Sequence, residues 1–170
     1  FNKTQQGDVY SICVPTPFHT GSDIPKPNID YVLSATKSIA QYIKPGDLII
    51  LESTSPVGTT EKVQKTLINC GANLEDVHIA YCPERVLPGK IMTELVENDR
   101  IVGGLSSVAT KKVMEFYRLF VNGSIIDFAI KEYKNGLSNG NFDIASTKNF
   151  FPVGLDVECF TLKTLKRLDT

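Results

Sequence analysis

The six residues DLIILE, Asp47–Glu52, restrict the fold more than any other stretch of this sequence. In an extended backbone, successive side chains point to opposite faces. Four apolar residues in a row therefore need cover above and below, which is the situation of an interior strand in a parallel sheet.

The neighbouring segments supply that cover. VYSICV, Val9–Val14, is a β-rich run closed by Pro15 and Pro17. Asp30 is placed to cap a helix from Tyr31 to about Ile43. Its apolar stripe, Val32, Ala35, Ile39 and Tyr42/Ile43, repeats at helical spacing, and Lys44-Pro45-Gly46 stops it. Beyond the central strand, Ser55 and Pro56 read as N-cap and first residue of a second helix, with Val63, Leu67 and Cys70 inward and Gly71 just past its end. Val77–Tyr81 and Arg100–Gly104 read as a third and a fourth strand, and Lys111–Val121 as a further helix. Strands joined by helices of this length pair in parallel through right-handed crossovers. The predicted class is α/β: a partial Rossmann-like, doubly wound parallel sheet with helices on both faces.

Composition limits the partners. With 170 residues, 42% hydrophobic and 22% charged, the chain has the make-up of one ordinary globular domain with a real core. A net charge of −1 gives no electrostatic grip on nucleic acid or on an anionic membrane. No apolar run reaches transmembrane length, and no leader is expected at the start. Cys13, Cys70, Cys82 and Cys159 lack CxxC spacing and only His19 and His78 offer imidazoles, so a zinc site is not expected. Cys13, inside a strand, and Cys70, at a helix end, read as small buried hydrophobes, in keeping with a reducing, cytoplasmic setting.

Each of the first three predicted strands runs into an unusual tetrad: Val14-Pro15-Thr16-Pro17, Glu52-Ser53-Thr54-Ser55 and Pro83-Glu84-Arg85-Val86. Taken singly, these read as a turn, a helix cap and a charged loop. Parallel strands place all three on one edge, the carboxyl edge where open α/β sheets bind ligands, and there Thr16, Thr54, Glu84 and Arg85 converge. The helix beginning near Pro56 aims N–H groups at that edge, which suits a phosphate or carboxylate. Threonine hydroxyls suit ribose or amide groups, and Arg85 offers a planar fork for an anion. Glu84 can order a water or take a proton. SPVGTTEK lacks the G-K-[ST] ending of a Walker loop.

Four ordered motifs, VPTP, ILESTSPVGTTE, AYCPERVLPGK and NDRIVGG, closely resemble the UDP-glucose/GDP-mannose dehydrogenase family. The ESTSPVGTT and PERVLPG forms look most like its UDP-N-acetyl-D-mannosamine dehydrogenase branch, and the likeness runs from about Val9 to Ile125. The resemblance implies two Rossmann-like domains joined by a long helix, in an oligomer, expected to be a homo-oligomer. It also implies oxidation of the C6 alcohol of a UDP-sugar to a carboxylate, with NAD as cofactor and an essential cysteine carrying the intermediates. By the same resemblance, Thr16 and Thr54 lie next to NAD, Glu84 assists proton handling around the thioester step, and Arg85 and Val86 lie against the sugar nucleotide.

The likeness has gaps. The strand, G-x-G-x-x-G turn and acidic residue with which family members open are not found in FNKTQQGDVY or after it. Lys134 and Asn139 have the wrong spacing for the family's lysine and asparagine, and Cys159 lacks the glycine-rich context of its cysteine. The expectation is therefore two parts: residues 1–126 as the second half of an NAD-binding domain, and 127–170 as a divergent or irregular tail with at most a short helix from Phe160 to Leu168. As an enzyme fragment it is expected to be inactive alone. A non-catalytic nucleotide-binding or interaction module and a poorly folding product are the alternatives.

Overall fold

Leu48–Leu51 form the strand that the apolar run predicts (β2), and all four residues are buried. In the computed structural model of the chain, residues 4–19, 21, 26–84, 86 and 89–127 are described, together with the backbone of 144–146 and 158–160. The chain divides into two units, Phe1–Ile125 and Ile126–Thr170.

The first unit holds β1 (Val9–Ile12), α1 (Asp30–Ile39) with a 3-10 turn at Ala40–Tyr42, β2, α2 (Thr59–Asn69), β3 (His78–Tyr81), α3 (Ile91–Glu97), β4 (Arg100–Ile101), β5 (Gly103–Gly104) and α4 (Ser107–Tyr117). A further strand, β6, is Ile125–Ile126. The main sheet has the order β1-β2-β3-β5. β1 pairs in parallel with β2, Val9 opposite Leu48 and Ile12 opposite Leu51. β2 pairs in parallel with β3, Leu48 opposite His78 and Leu51 opposite Tyr81.

Alternation along β2 divides the core in two. Ile49 and Leu51 pack with Tyr10, Ile12 and Ile79 under Val32 and Ile39 of α1 and Val63 and Leu67 of α2. Leu48 and Ile50 pack with Ala80, Cys82 and Val102 under Val113 and Tyr117 of α4. Each Leu or Ile so enclosed contributes about 1.5–3 kcal/mol by leaving water.

Several boundaries differ from the sequence reading. α1 opens on Asp30 behind Ile29, which makes no side-chain cap bond; the Asn28 side-chain oxygen, one residue earlier, accepts the Asp30 N–H at 2.8 Å. α2 starts at Thr59 behind Gly58 in the left-handed region (φ 86°), so Ser55 is not its cap; the Ser55 hydroxyl donates instead to the Ser53 carbonyl. α4 starts four residues before the predicted Lys111, because Ser106 caps it by accepting the Ala109 N–H. The fourth strand is two short pieces, and β5 runs antiparallel to β3, not parallel. The physical cause is α3. It has seven residues, about 10 Å of rise, and no buried side chain, so it does not recross the sheet. The chain re-enters from the edge at which β3 left.

In the second unit, β7 (Ile144–Ser146) and β8 (Glu158–Phe160) pair antiparallel, with Ala145 opposite Cys159. Phe160 is thus a strand residue, and the rest of the predicted helix to Leu168 lies outside the described residues, as do Lys134 and Asn139.

Candidate functional site

Since β1, β2 and β3 are parallel, their carboxyl ends open on one edge. The three tetrads are joined there by hydrogen bonds. Val14 N–H donates to the Ser53 hydroxyl at 2.7 Å, and that hydroxyl donates back to the Val14 carbonyl at 2.7 Å. The Thr16 hydroxyl donates to the Thr54 carbonyl at 2.7 Å. Glu84 N–H donates to the Glu52 carbonyl at 3.1 Å. Thr16, Thr54 and Glu84 therefore belong to one constellation. Val86 is half-buried a little further on, and Arg85 lies outside the described residues.

The bonding sets the chemistry that each group offers. Thr16 has spent its hydroxyl proton on Thr54, so towards a ligand it can only accept. Thr54 is exposed. An acceptor from Thr16 beside an exposed Thr54 hydroxyl fits the amide and sugar hydroxyl groups of a dinucleotide, so the residues present are compatible with NAD.

Beneath the edge lies a polar layer. The Glu52 carboxylate accepts from the Cys13 thiol at 3.1 Å on one oxygen and from the Tyr117 hydroxyl on the other. Arg100, 3% exposed, donates from one terminal nitrogen to Glu84 Oε2 at 2.8 Å and from the other to the Leu95 carbonyl at 3.0 Å. Its guanidinium carbon lies 5.5 Å from the Tyr117 ring centre, a cation–π distance. Burial raises the Tyr117 phenol well above its usual range, and Cys82 and Glu52 add to the effect.

The thiols here are not activated. Burial pushes Cys82 up to about 11, against the pull of Tyr117 and Arg100. Desolvation of the sulfur, with the Glu52 carboxylate adding, raises Cys13 to about 11. Both are protonated at neutral pH, and a protonated thiol is a poor nucleophile. Cys13 also corrects the sequence reading: it lies past the end of β1, on the same side as Ser11, and is exposed, as is Cys70. The face of β1 that carries residues 9 and 11 is uncovered, and position 13 continues it.

Three residues of this layer escaped the sequence reading as site residues. Glu52 stood in a quoted tetrad, but its role was not assigned. Arg100 stood in the NDRIVGG motif as a strand start. Tyr117 stood in the predicted Lys111–Val121 helix with no role assigned, although the hydroxyl of a buried tyrosine usually finds a partner, and that signal was available.

A mainly parallel sheet that gathers hydroxyls and a carboxylate at its carboxyl edge has the layout with which open α/β domains bind nucleotides. The chain belongs to the UDP-glucose/GDP-mannose dehydrogenase family, residues 1–121 matching its NAD binding domain. It is 46% identical over 132 residues to UDP-N-acetyl-D-mannosamine dehydrogenase of Campylobacter jejuni, covering 72% of this chain and 32% of that protein. It is 45% identical over 130 residues to the enzyme of the same name from Escherichia coli strain K12, covering 71% and 30%. Among solved structures, the UDP-N-acetyl-mannosamine dehydrogenase Cap5O from Staphylococcus aureus superposes with a TM-score of 0.68 at 36% identity, over 82% of this chain and 34% of that one. The UDP-D-ManNAc dehydrogenase from Pyrococcus horikoshii gives 0.64 at 37% identity, over 79% and 33%. The chain thus spans about a third of the length of these relatives. Among the described residues, no helix is long and apolar enough to cross a membrane.

Proposed function

We propose that residues 1–126 are the second half of the NAD-binding domain of a UDP-sugar 6-dehydrogenase. The substrate is UDP-N-acetyl-D-mannosamine, whose C6 alcohol becomes the carboxylate of the uronic acid, in the cytoplasm and within a homo-oligomer. The observation that carries this reading is the hydrogen-bonded junction of three strand ends, bringing Thr16, Thr54 and Glu84 to one edge. The names of the relatives give the substrate class.

NAD, when bound, supplies the hydride acceptor. The chain's own residues bind and move protons. Thr16 accepts a hydrogen bond from the cofactor, and Thr54 offers a hydroxyl beside it. Glu84, 29% exposed, holds or takes a proton from a water at its carboxylate. Arg85 and Val86 lie against the sugar nucleotide.

One observation favours a second reading, a non-catalytic nucleotide-binding module. Of the described cysteines at the strand ends, Cys13 and Cys82, neither is ionised at neutral pH. Titration calorimetry with NAD+ and with UDP-N-acetyl-D-mannosamine tests both. Binding of NAD+ that weakens in Thr16→Val supports the cofactor edge, and uptake of UDP-N-acetyl-D-mannosamine beside NAD+ favours the dehydrogenase half over a module that takes the nucleotide alone. A folded chain that takes up neither ligand sinks both readings.

A further inference from the structure

We propose that Arg100 is the positioning residue for Glu84: a guanidinium fixed inside the domain holds that carboxylate in one place at the open edge. The inference rests on the proton-handling role proposed for Glu84.

The asymmetry of the pair is the first observation. The cation is 3% exposed and the carboxylate 29%. A surface ion pair would expose both groups, and a core pair would bury both. Here a buried donor reaches outward to a group that solvent can touch. Burying a guanidinium is unfavourable unless its partners are well placed. This one even leaves its Nε buried without a partner among the described residues.

The second observation is that Arg100 is itself held from several directions. Its backbone N–H donates to the Ser124 carbonyl at 2.8 Å. Its second terminal nitrogen is spent on the Leu95 carbonyl in the last turn of α3, where the helix dipole favours a cation. The Tyr117 ring underlies it, and Tyr117 is in turn tied to Glu52. Glu84 is fixed at its other end by its own backbone bond to Glu52. Both ends of the residue are therefore referred to Glu52, just past the end of β2, one directly and one through Tyr117 and Arg100.

A merely structural role is the rival: Arg100 would only staple α3 to β4. Two substitutions separate the roles. Arg100→Gln keeps a hydrogen-bond donor but loses the charge and the fork. Arg100→Lys keeps the charge, with one donor group for two acceptors.

The test is side-chain carbon relaxation of glutamates by NMR in the full chain, with backbone amide shifts as the control for folding. In the wild type, Glu84 is expected to be more ordered than the exposed Glu61 and Glu75. In Arg100→Gln that order is lost, and in Arg100→Lys most of it returns. Glu84 as ordered in Arg100→Gln as in the wild type, with β1–β3 amides unmoved, overturns the proposal. Should Arg100→Gln fail to fold, Glu84→Gln gives the reading from the other side. The Arg100 terminal N–H signals are separate while the guanidinium is held, and they coalesce once the carboxylate charge is gone. Signals that do not change overturn the proposal equally. The calorimetric test of NAD+ is independent. Its failure with Glu84 order still governed by Arg100 removes the nucleotide reading alone, whereas NAD+ binding with Glu84 indifferent to Arg100 removes the positioning role alone.

Discussion

Ser53 and Val14 exchange two hydrogen bonds of 2.7 Å, with the serine hydroxyl accepting from the backbone N–H and donating to the backbone carbonyl. A side chain thereby extends the β1–β2 ladder beyond its last paired residues, Ile12 and Leu51. Thr16 follows two residues later.

Ser53→Ala removes both bonds and leaves the Val14 groups to find water. A cost of about 1–2 kcal/mol is expected in urea unfolding. Amide exchange at Val14 should accelerate while Ile49 and Ile50 stay protected. Unchanged exchange at Val14 would show that the strand end is held by something other than this hydroxyl.

Glu84→Ala strands the buried Arg100 without its carboxylate. Breaking a fully buried pair costs about 3–5 kcal/mol. Glu84 is 29% exposed, so water recovers part of this and a loss of about 2 kcal/mol is expected. A double-mutant cycle with Arg100→Met should return a coupling of more than about 1 kcal/mol. Additive losses would refute the pair.

Gly103 and Gly104 are neighbours with opposite tolerance. A Cβ on Gly104 would come within 2.7 Å of Ala109 Cβ and closer still to the Thr110 nitrogen, at the start of α4. Among the described residues, nothing lies within 4 Å of a Cβ on Gly103. Gly104→Ala should lower stability by about 1–3 kcal/mol, the usual cost of overpacking, and Gly103→Ala by much less. Paired thermal melts decide it.

How far the sequence alone reaches is clear from particular residues. Leu48–Leu51 announced a two-sided strand, and Val32, Ile39, Val63 and Leu67 announced the helix faces that cover it, because burial and periodicity are local signals. The strand-end tetrads could be placed on one shared edge for the same reason: their position follows from strand direction. β5 defeated the reading, since its direction depends on whether the preceding segment recrosses the sheet, and the short α3 does not. The polar layer defeated it as well. Glu52, Arg100 and Tyr117 stand 65 positions apart at the extremes, and a hydrogen bond over such a separation leaves no trace in spacing. Ser106, by contrast, carries a signal that is legible in the sequence, a serine directly ahead of an apolar helical stripe.

Stability should fall on the alkaline side. Cys82 has its thiol raised from 9.0 to about 11 in the fold, chiefly by burial. An acid with a raised folded pKa keeps its proton in the native state after the unfolded chain has lost it. Its contribution is whole below pH 9, declines between pH 9 and about 11, and is gone above. Tyr117 extends the decline above pH 10, its ordinary value, as its phenol is raised too. Cys13, raised to about 11 as well, contributes over the same window, so urea midpoints measured from pH 8 to 11 should drop and Cys82→Ala should lessen, without abolishing, the first part of the drop. A flat profile in the unsubstituted chain would contradict the buried thiol.

α3 contributes no buried side chain. Polar fastenings gather near its last turn: Arg100 donates to the Leu95 carbonyl, Asn122 N–H to the Val96 carbonyl, and the Asn122 amide to Glu97. Its outer residues Ile91 and Met92 face solvent. A segment attached in this way can be lengthened, recoloured or replaced without any change to how the sheet packs. Substitutions on the solvent face of α3 are therefore expected to leave both core layers of the sheet, and the polar contacts of its last turn, as they are.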